Sequence, residues 1–188
     1  MEPIQYPTLS ISDRYRTRHH PPLFFRAGLR SVEVGIESSN EQILLENGRK
    51  SIAHSHQEMI IELCHRLGIR VIVNYTLGLP NDTVEGIRQT IRVAKRLNTF
   101  AIQFTVTTPY PGTHFYETVK QAIFERDWER FSGWTSVYSH PSIPTADLHR
   151  LREFAYVSYH LRPRYVRRFL QSTILHPLLF PEPNALTG

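Results

Sequence analysis

The sequence predicts an α/β fold: part of a (β/α) barrel with parallel strands, followed by a C-terminal helical extension. Three strand-like segments alternate with amphipathic helical segments along residues 23–126. This order requires parallel strands joined by right-handed crossovers. Each strand has one apolar and one polar face, whereas strands of a doubly wound sheet are apolar on both faces. A barrel explains the contrast, because its outer wall packs under helices while its interior can meet a ligand.

The three strands are bounded by turn-forming residues. The first covers 30–37 and follows a helix end at Leu23–Ala27, which Gly28 closes in the left-handed conformation. The second covers 69–77 and is closed by Gly78-Leu79-Pro80. The third covers 100–108 and is followed by Pro109-Tyr110-Pro111-Gly112, which turns the chain.

Cap and stop residues define the helices between these strands. Cys64 lies on the apolar face of one of them, which favours a buried, inert thiol. The predicted helices are one capped by Ser39 and ended by Asn47-Gly48, one from Ser55 with Glu58 as capping-box partner to Gly68, one started by Asp82 and Glu85 that runs to Leu97 with Asn98 as its stop, and one from His114 to about Glu125.

The sequence divides into an irregular leader (1–22), the partial barrel (23–126) and the extension (127–188). The extension begins with an aromatic connector that has no clear period. Thr145 is predicted to cap a helix that Pro163 interrupts, and a second helical piece is predicted over Tyr165–Leu175, before a proline-rich tail. The apolar positions of the first of these helices are Leu148, Leu151, Phe154, Ala155, Val157 and Tyr159.

Composition limits the class of protein. A chain of 188 residues with 40% hydrophobic content fits a soluble globular domain, and no apolar run reaches the ~20 residues of a membrane span. A single cysteine, Cys64, favours a reducing, cytoplasmic location. The net charge of +5 gathers in arginine clusters near both ends, which we interpret as a solvated helix face and the leader; a phosphate- or nucleic-acid-binding role is a weaker alternative. The ten histidines show no spacing typical of a metal site, so none is predicted.

Polar residues follow one face of all three strands. Catalytic or binding groups of a barrel lie at the C-terminal ends of its strands. Those ends carry Glu37 and Ser38, Asn74 and Thr76, and Thr107 and Thr108. At any single position a satisfied interior side chain is the simpler interpretation, but the same asymmetry in three consecutive strands favours a ligand-facing interior.

Three short motifs at these strand ends resemble those of the radical S-adenosylmethionine (SAM) superfamily. Gly35–Ser38 resembles the "GIES" end of the family's fourth barrel strand, 77–83 resembles the "GLPGET" turn after the fifth, and 109–116 resembles the "P-x-PGT-x-L/F-Y" segment after the sixth. The resemblance covers roughly residues 23–125. The extension is similar to that of a subgroup of methyltransferases and ring cyclases that act on large apolar or tetrapyrrole substrates and often carry an upstream cobalamin-binding domain.

The resemblance implies a site and cofactors. In such enzymes three cysteines after the first strand hold a [4Fe–4S] cluster, which cleaves SAM reductively. Carried over to this chain, Glu37 and Ser38 would contact the polar groups of SAM. Asn74 and Thr76 would line its ribose side, and Thr107 to Pro109 would lie near its adenine. Gly78 and Gly112 would serve the turns.

The chain departs from the family in lacking the cysteine motif and the first three strands, so it resembles only the C-terminal half of the barrel. One cysteine cannot hold such a cluster. We therefore expect a missing N-terminal half or a complementing chain to supply the cluster, with cobalamin possible in a full-length relative. Whether this chain alone is an enzyme stays open. The alternative is a noncatalytic remnant or interaction module that forms an oligomer or completes a partner's barrel.

Overall fold

The computed structural model describes residues 20–49 and 53–171. Three strands form a parallel sheet in the order β1-β2-β3: β1 (Ser31–Glu37), β2 (Arg70–Leu77) and β3 (Ala101–Val106). The parallel arrangement predicted from the strand–helix alternation is confirmed. The described strands form an open sheet, so closure into a partial barrel stays a prediction.

Helices connect and flank the strands. Those that carry most of the core are α3, α4 and α6, because their apolar sides meet the same face of the sheet. The helices are α1 (His20–Arg26), α2 (Glu41–Glu46), α3 (His54–Arg66), α4 (Val84–Leu97), α5 (His114–Val119), α6 (Thr145–His160) and α7 (Pro163–Phe169), with single 3-10 turns at Lys120–Ala122 and Trp128–Arg130. None of these helices, within the part of the chain described, is long and apolar enough to cross a membrane.

The apolar face of the sheet is the one that strand alternation predicted. Tyr75 of β2 is fully buried and stacks on Phe104 of β3 with ring centroids 5.2 Å apart. Burying a large apolar side chain contributes roughly 1.5–3 kcal/mol, so this layer holds the helices on the sheet. The strand residues of this face are Val32, Val34, Ile36, Val71, Val73, Tyr75, Leu77, Ile102, Phe104 and Val106.

Helix α6 buries a narrower stripe than its apolar residues suggested. Leu148, Leu151, Ala155 and Tyr159 are buried, at the spacing of one helical face. Phe154 and Val157, also apolar positions of this helix, are 54% and 55% exposed. Both flank the buried stripe, and only one stripe of a helix can face a flat sheet.

Two predicted N-caps were wrong by one residue. Asn40, not Ser39, caps α2, because Asn40 Oδ1 accepts from Gln42 N and Ile43 N while the Ser39 hydroxyl contacts Thr90 Oγ1 at 3.1 Å. Thr83, not Asp82, caps α4 by accepting from Gly86 N. In each case two adjacent residues carry a suitable oxygen, and tertiary contacts decide which one faces the helix.

Other helix ends also shifted. The capping box of Ser55 and Glu58 does not form: α3 begins at His54 after Ala53, and Glu58 pairs instead with Arg96 at 2.8 Å. Thr145 is the first residue of α6 rather than its cap. Asn98 stops α4 as predicted, with a left-handed φ of 48°.

Two predicted helices have different extents. Helix α5 ends at Val119 rather than near Glu125, because Ile123 forms an antiparallel bridge with Tyr138. The chain breaks near Pro163 as predicted, but α7 begins at that proline, which suits a first helical turn. The predicted end of this piece at Leu175 lies outside the described residues. Helix α1 begins at His20, inside the predicted leader.

The two edges of the sheet differ. On the outer edge of β3, Phe104 N donates to the Tyr156 hydroxyl at 3.0 Å and Val106 N donates to Gly133 O at 2.7 Å. The extension therefore covers this edge. Strand β1 forms the other edge and, within residues 20–49 and 53–171, has no strand beyond it.

Candidate ligand site at the strand ends

The polar face of the sheet carries a row of side chains level with one another across the strands. The register pairs Gly35 with Asn74 and Asn74 with Gln103. Two residues further along the same strands, Thr76 pairs with Thr105. The side chains of Asn74, Thr76, Gln103 and Thr105 are half-buried, in contrast to the buried apolar face. The predicted polar face therefore exists, and its residues meet at one end of the sheet.

Asn74 is the most distinctive residue of this face. Its side-chain amide donates to Glu33 Oε1 at 2.6 Å. Its carbonyl oxygen Oδ1 is buried and has no hydrogen-bond partner among the described atoms. A buried acceptor without a donor costs about 1–3 kcal/mol, so this oxygen is suited to a donor from outside the chain.

Glu37 ends β1 in an unusual conformation. Its φ is 64°, a left-handed value that is uncommon outside glycine, and the register of β1 and β2 shifts between Gly35 and Glu37. The bulge turns the side chain so that Glu37 Oε1 accepts from Arg49 Nη1 at 2.6 Å. Both side chains are about one-third exposed, so the pair lies at the rim of the site.

Ser38 is buried next to Glu37 and shapes the loop into α2. Its hydroxyl accepts from Asn40 N at 3.1 Å, and its own N–H donates to Ile36 O at 2.8 Å. With only 2% of its surface exposed, Ser38 fixes the backbone that leads from β1 to α2.

Thr107 and Pro109, at the end of β3, are both buried. The N–H and hydroxyl of Thr107 both donate to Leu77 O, at 2.9 and 3.0 Å. These bonds extend the contact between the β2 and β3 ends by one residue beyond β3. Thr107 therefore acts first on the backbone, and its hydroxyl proton is already engaged.

The turn after β2 is closed by a buried carboxyl group. Asp82 is 3% exposed and accepts from Gly78 N at 3.2 Å and from Thr83 N at 3.1 Å. Burial raises the pKa of Asp82 to about 6, against the lowering effect of these backbone donors. Gly78 itself has a φ of 78°, and Gly112 a φ of 83°, so both glycines serve turns as predicted.

A [4Fe–4S] cluster does not fit the residues of this chain. Such clusters need several cysteine thiolates, and the sequence has one cysteine. Cys64 is buried on α3, and burial raises the pKa of its thiol to about 11, so it stays protonated. Among the described residues there is also no group of three or more His, Cys, Asp or Glu side chains placed to hold a metal ion.

Four residues that matter to this site were not among its predicted members. Glu33 alternates with the apolar residues of β1, and its place on the polar face was a usable signal. Arg49 left no such signal, because it follows a helix in an irregular segment. Tyr138 and His140, which contact the turn after β2, lie in the connector that has no period.

The chain is similar to known proteins over much of its length. No protein-family model matches it. It is 29% identical over 139 residues to an uncharacterized methyltransferase of Pyrococcus horikoshii, 30% over 110 residues to the bacteriochlorophyllide d C-8(2)-methyltransferase of Chlorobaculum tepidum, and 24% over 138 residues to the anaerobic magnesium-protoporphyrin IX monomethyl ester cyclase of Rubrivivax gelatinosus. These matches cover 73%, 56% and 73% of this chain.

The matched part is 30%, 24% and 25% of the length of those three relatives, respectively. Among solved structures, the radical SAM methyltransferase TsrM of Kitasatospora setae, with cobalamin and a [4Fe-4S] cluster bound, matches 54% of this chain and 21% of its own, at 25% identity and a TM-score of 0.49.

The relatives are methyltransferases and a ring cyclase, which are the two activities of the subgroup that the strand-end motifs and the extension resemble. The resemblance predicted from those motifs is confirmed: the chain is similar to methyltransferases and a ring cyclase, the two kinds of enzyme in the subgroup that it resembles.

Proposed function

We propose that this chain supplies the C-terminal part of a radical SAM-type methyltransferase or cyclase and that the polar face of its sheet binds SAM. The observation that carries the proposal is the buried Oδ1 of Asn74, an acceptor without a partner among the described residues, at the level of the predicted strand-end site. The identities of the relatives support the reaction class.

The charges around Asn74 suit SAM. SAM carries a sulfonium, an ammonium group, a carboxylate and two ribose hydroxyls, so it needs anionic groups, a cation and acceptors. Glu33 and Glu37 offer carboxylates, and Arg49, at the rim beside Glu37, offers a guanidinium. We propose that Asn74 Oδ1 accepts from a ribose hydroxyl of SAM.

The chain's own part in the reaction is to bind and orient SAM. Because Cys64 cannot hold a cluster, no step of the cleavage is assigned to residues of this chain. We propose that the cluster comes from an N-terminal segment of the same protein or from a complementing chain. Cobalamin, if the complete protein uses it, would bind in a part outside residues 20–49 and 53–171.

The two edges of the sheet support a partner on the β1 side. Tyr156 and Gly133 already occupy the outer edge of β3. Strand β1 forms the opposite edge, where a parallel strand from that N-terminal segment or chain would pair and extend the sheet. A second copy of this chain is the competing occupant, and it corresponds to the noncatalytic module.

Equilibrium binding of SAM tests the site. We would titrate SAM by calorimetry into wild-type protein and into Asn74→Ala, with Gln42→Ala as matched control. Gln42 also donates an amide to a carboxylate, Glu46, at 2.8 Å, but on the exposed side of α2. We expect Asn74→Ala to weaken binding about 5- to 30-fold, as for a lost buried hydrogen bond, and Gln42→Ala to change it less than about twofold.

The contrary result would be equal affinity of Asn74→Ala and wild type. Absence of SAM binding, both alone and with the cysteine-bearing segment present, would overturn the whole proposal. The intact mass of the protein from its source cells tests the missing segment: a mass well above the 22.0 kDa of this chain supports one polypeptide. A mass of 22.0 kDa would favour a complementing chain if SAM binds, and the noncatalytic module if it does not.

A further inference from the structure

The turn Gly78–Asp82 is held from the side of the C-terminal extension as well as from within. The Tyr138 hydroxyl donates to Gly78 O at 2.7 Å. His140 Nε2 lies 2.8 Å from Leu79 O. Tyr138 is 0% and His140 8% exposed, so both contacts are shielded from water. We call these two contacts the turn clamp.

The hydrogen bonds of His140 fix which of its nitrogens carries the proton. Its Nδ1 accepts from Ser142 N and Ile143 N, both at 3.0 Å, so Nδ1 is unprotonated. The Nε2 proton is then the one donated to Leu79 O. Burial lowers the pKa of His140, which keeps this neutral form at physiological pH. The side chain thus ties the Leu79 carbonyl to the start of the segment before α6.

The turn has little freedom left. Asp82 N donates to Leu79 O at 2.7 Å, and the Asp82 carboxyl accepts from Gly78 N. A Cβ at Gly78 would lie 2.8 Å from Leu148 Cδ2 of α6, so the extension also packs directly on the turn. Backbone groups of Gly78 and Leu79 are therefore bonded on one side by the turn itself and on the other by the extension.

The turn also lies next to the segments that follow β1 and β3. The Leu79 side chain is buried with Ile43 and Leu44 of α2, the helix that follows Glu37 and Ser38. On its other side, Leu77 O accepts both donors of Thr107. The turn that Tyr138 and His140 hold thus continues directly from the joined ends of β2 and β3, and it packs on α2, the helix that follows β1.

We propose that Tyr138 and His140 are positioning residues of the SAM site, through which the C-terminal extension sets the relative placement of the three strand ends. This inference rests on the proposed function for its ligand and on the turn clamp for its geometry. Both side chains donate to backbone carbonyls of the turn, so we propose that they act through the turn and not on SAM.

Two conservative variants remove the clamp separately. Tyr138→Phe deletes only the hydroxyl that reaches Gly78 O. His140→Asn keeps an oxygen at the position of Nδ1 for Ser142 N and Ile143 N but is too short to reach Leu79 O. The control is Tyr159→Phe, because Tyr159 is equally buried and donates to Thr99 O, also at 2.7 Å, near the N-terminal end of β3.

Two measurements apply to all three variants: SAM affinity by calorimetry and amide hydrogen exchange of Gly78 and Asp82 by NMR. One lost buried hydrogen bond is worth about 1 kcal/mol, so we expect Tyr138→Phe and His140→Asn to weaken SAM binding about three- to tenfold. Tyr159→Phe should stay within about twofold of wild type despite a similar loss in melting temperature. Exchange at Gly78 and Asp82 should accelerate only in the two clamp variants.

Equal SAM affinities in Tyr138→Phe, His140→Asn and Tyr159→Phe would overturn the positioning role. If wild-type protein takes up no SAM, the proposed function fails, and hydrogen exchange alone decides the clamp. Faster exchange at Gly78 in Tyr138→Phe than in Tyr159→Phe then supports a turn held by the extension, and equal rates overturn it. Should Tyr138→Phe fail to fold, His140→Asn carries the same comparison.

Discussion

Asn74 donates its side-chain amide to Glu33 at 2.6 Å although the two residues do not face each other across the strands. The register pairs Asn74 with Gly35, and Glu33 with Ile72. The contact is diagonal because Gly35, which pairs with Asn74, has no side-chain acceptor to offer it. It holds the Asn74 amide in one orientation, with its nitrogen on Glu33 and its oxygen left for a ligand.

Replacing Asn74 should weaken SAM binding but leave the free energy of unfolding nearly unchanged. Asn74→Ala removes a hydrogen bond to Glu33, but it also removes a buried oxygen that has no donor within the described part of the chain. The two effects oppose each other, so we expect the free energy of unfolding to change by less than about 1 kcal/mol. Urea denaturation without SAM measures this. A loss several times larger would mean that Asn74 is a structural residue and not a ligand residue.

The pH dependence of stability should show the buried Asp82. Its pKa is about 6 in the folded protein, against an ordinary value near 3.8, so the folded state binds this proton more tightly than the unfolded state. Stability from this group is therefore fully present below about pH 4 and declines as the pH rises to about 6. A difference of about two pKa units corresponds to about 3 kcal/mol as an upper value.

Asp82→Asn isolates this effect, because it removes the titrating group and keeps one acceptor. We expect wild type to lose stability relative to Asp82→Asn between pH 4 and 6, measured by urea unfolding at each pH. Parallel profiles for the two proteins would contradict the buried, proton-binding Asp82. The Tyr138 hydroxyl stays protonated over this range, since burial and the Asp82 charge both raise its pKa.

Alanine substitutions at Gly78 and Gly112 should separate the cost of backbone strain from the cost of steric overlap, because the two glycines have similar φ angles but different surroundings. Gly78 has a φ of 78° and Leu148 Cδ2 2.8 Å from a built Cβ, whereas Gly112 has a φ of 83° and nothing within 4 Å of one. Gly112→Ala should cost about 1–2 kcal/mol from left-handed backbone alone. Gly78→Ala should cost about 1–3 kcal/mol more from overlap with Leu148. Unfolding free energies of both variants test this, and equal losses would show that α6 moves aside without cost.

The sheet was predictable because its signals are local. Alternation fixed the buried face of each strand, and Asn98 and Pro163 ended or broke helices where their backbone preferences require it. The same local reasoning placed Glu37, Asn74 and Thr76 at one end of the sheet, and the pairing register brings those positions together.

What sequence reasoning missed depends on tertiary contacts. The caps at Asn40 and Thr83 were each missed by one residue because neighbouring residues carry equivalent oxygens. Tyr138 and His140 reach carbonyls about 60 residues away from a segment with no period. Arg49 finds Glu37 only because the bulge at the end of β1 turns that carboxylate. Periodicity carries no information on such contacts.

The arginines of the extension differ in role although they are adjacent in sequence. Arg168 donates to three carbonyls at the junction of α4 and β3: Asn98 O at 3.2 Å, Thr99 O at 2.8 Å and Phe100 O at 2.9 Å. Arg168 therefore stabilises the start of β3. The sequence predicted a solvated helix face for this arginine cluster, and Arg168 departs from that prediction. Arg167, one residue earlier, is exposed.

Replacing Arg167 or Arg168 with methionine keeps much of the apolar part of the side chain and removes the guanidinium. We expect Arg168→Met to lower the free energy of unfolding by about 1–3 kcal/mol, because three backbone carbonyls, two of them in part-buried hydrogen bonds, lose a charged donor. Arg167→Met should change it by less than about 0.5 kcal/mol. Chemical denaturation of both variants in low and high salt makes the comparison. Equal effects that vanish in high salt would instead assign both arginines to a general electrostatic surface, which is the condition under which the phosphate- or nucleic-acid-binding alternative would regain support.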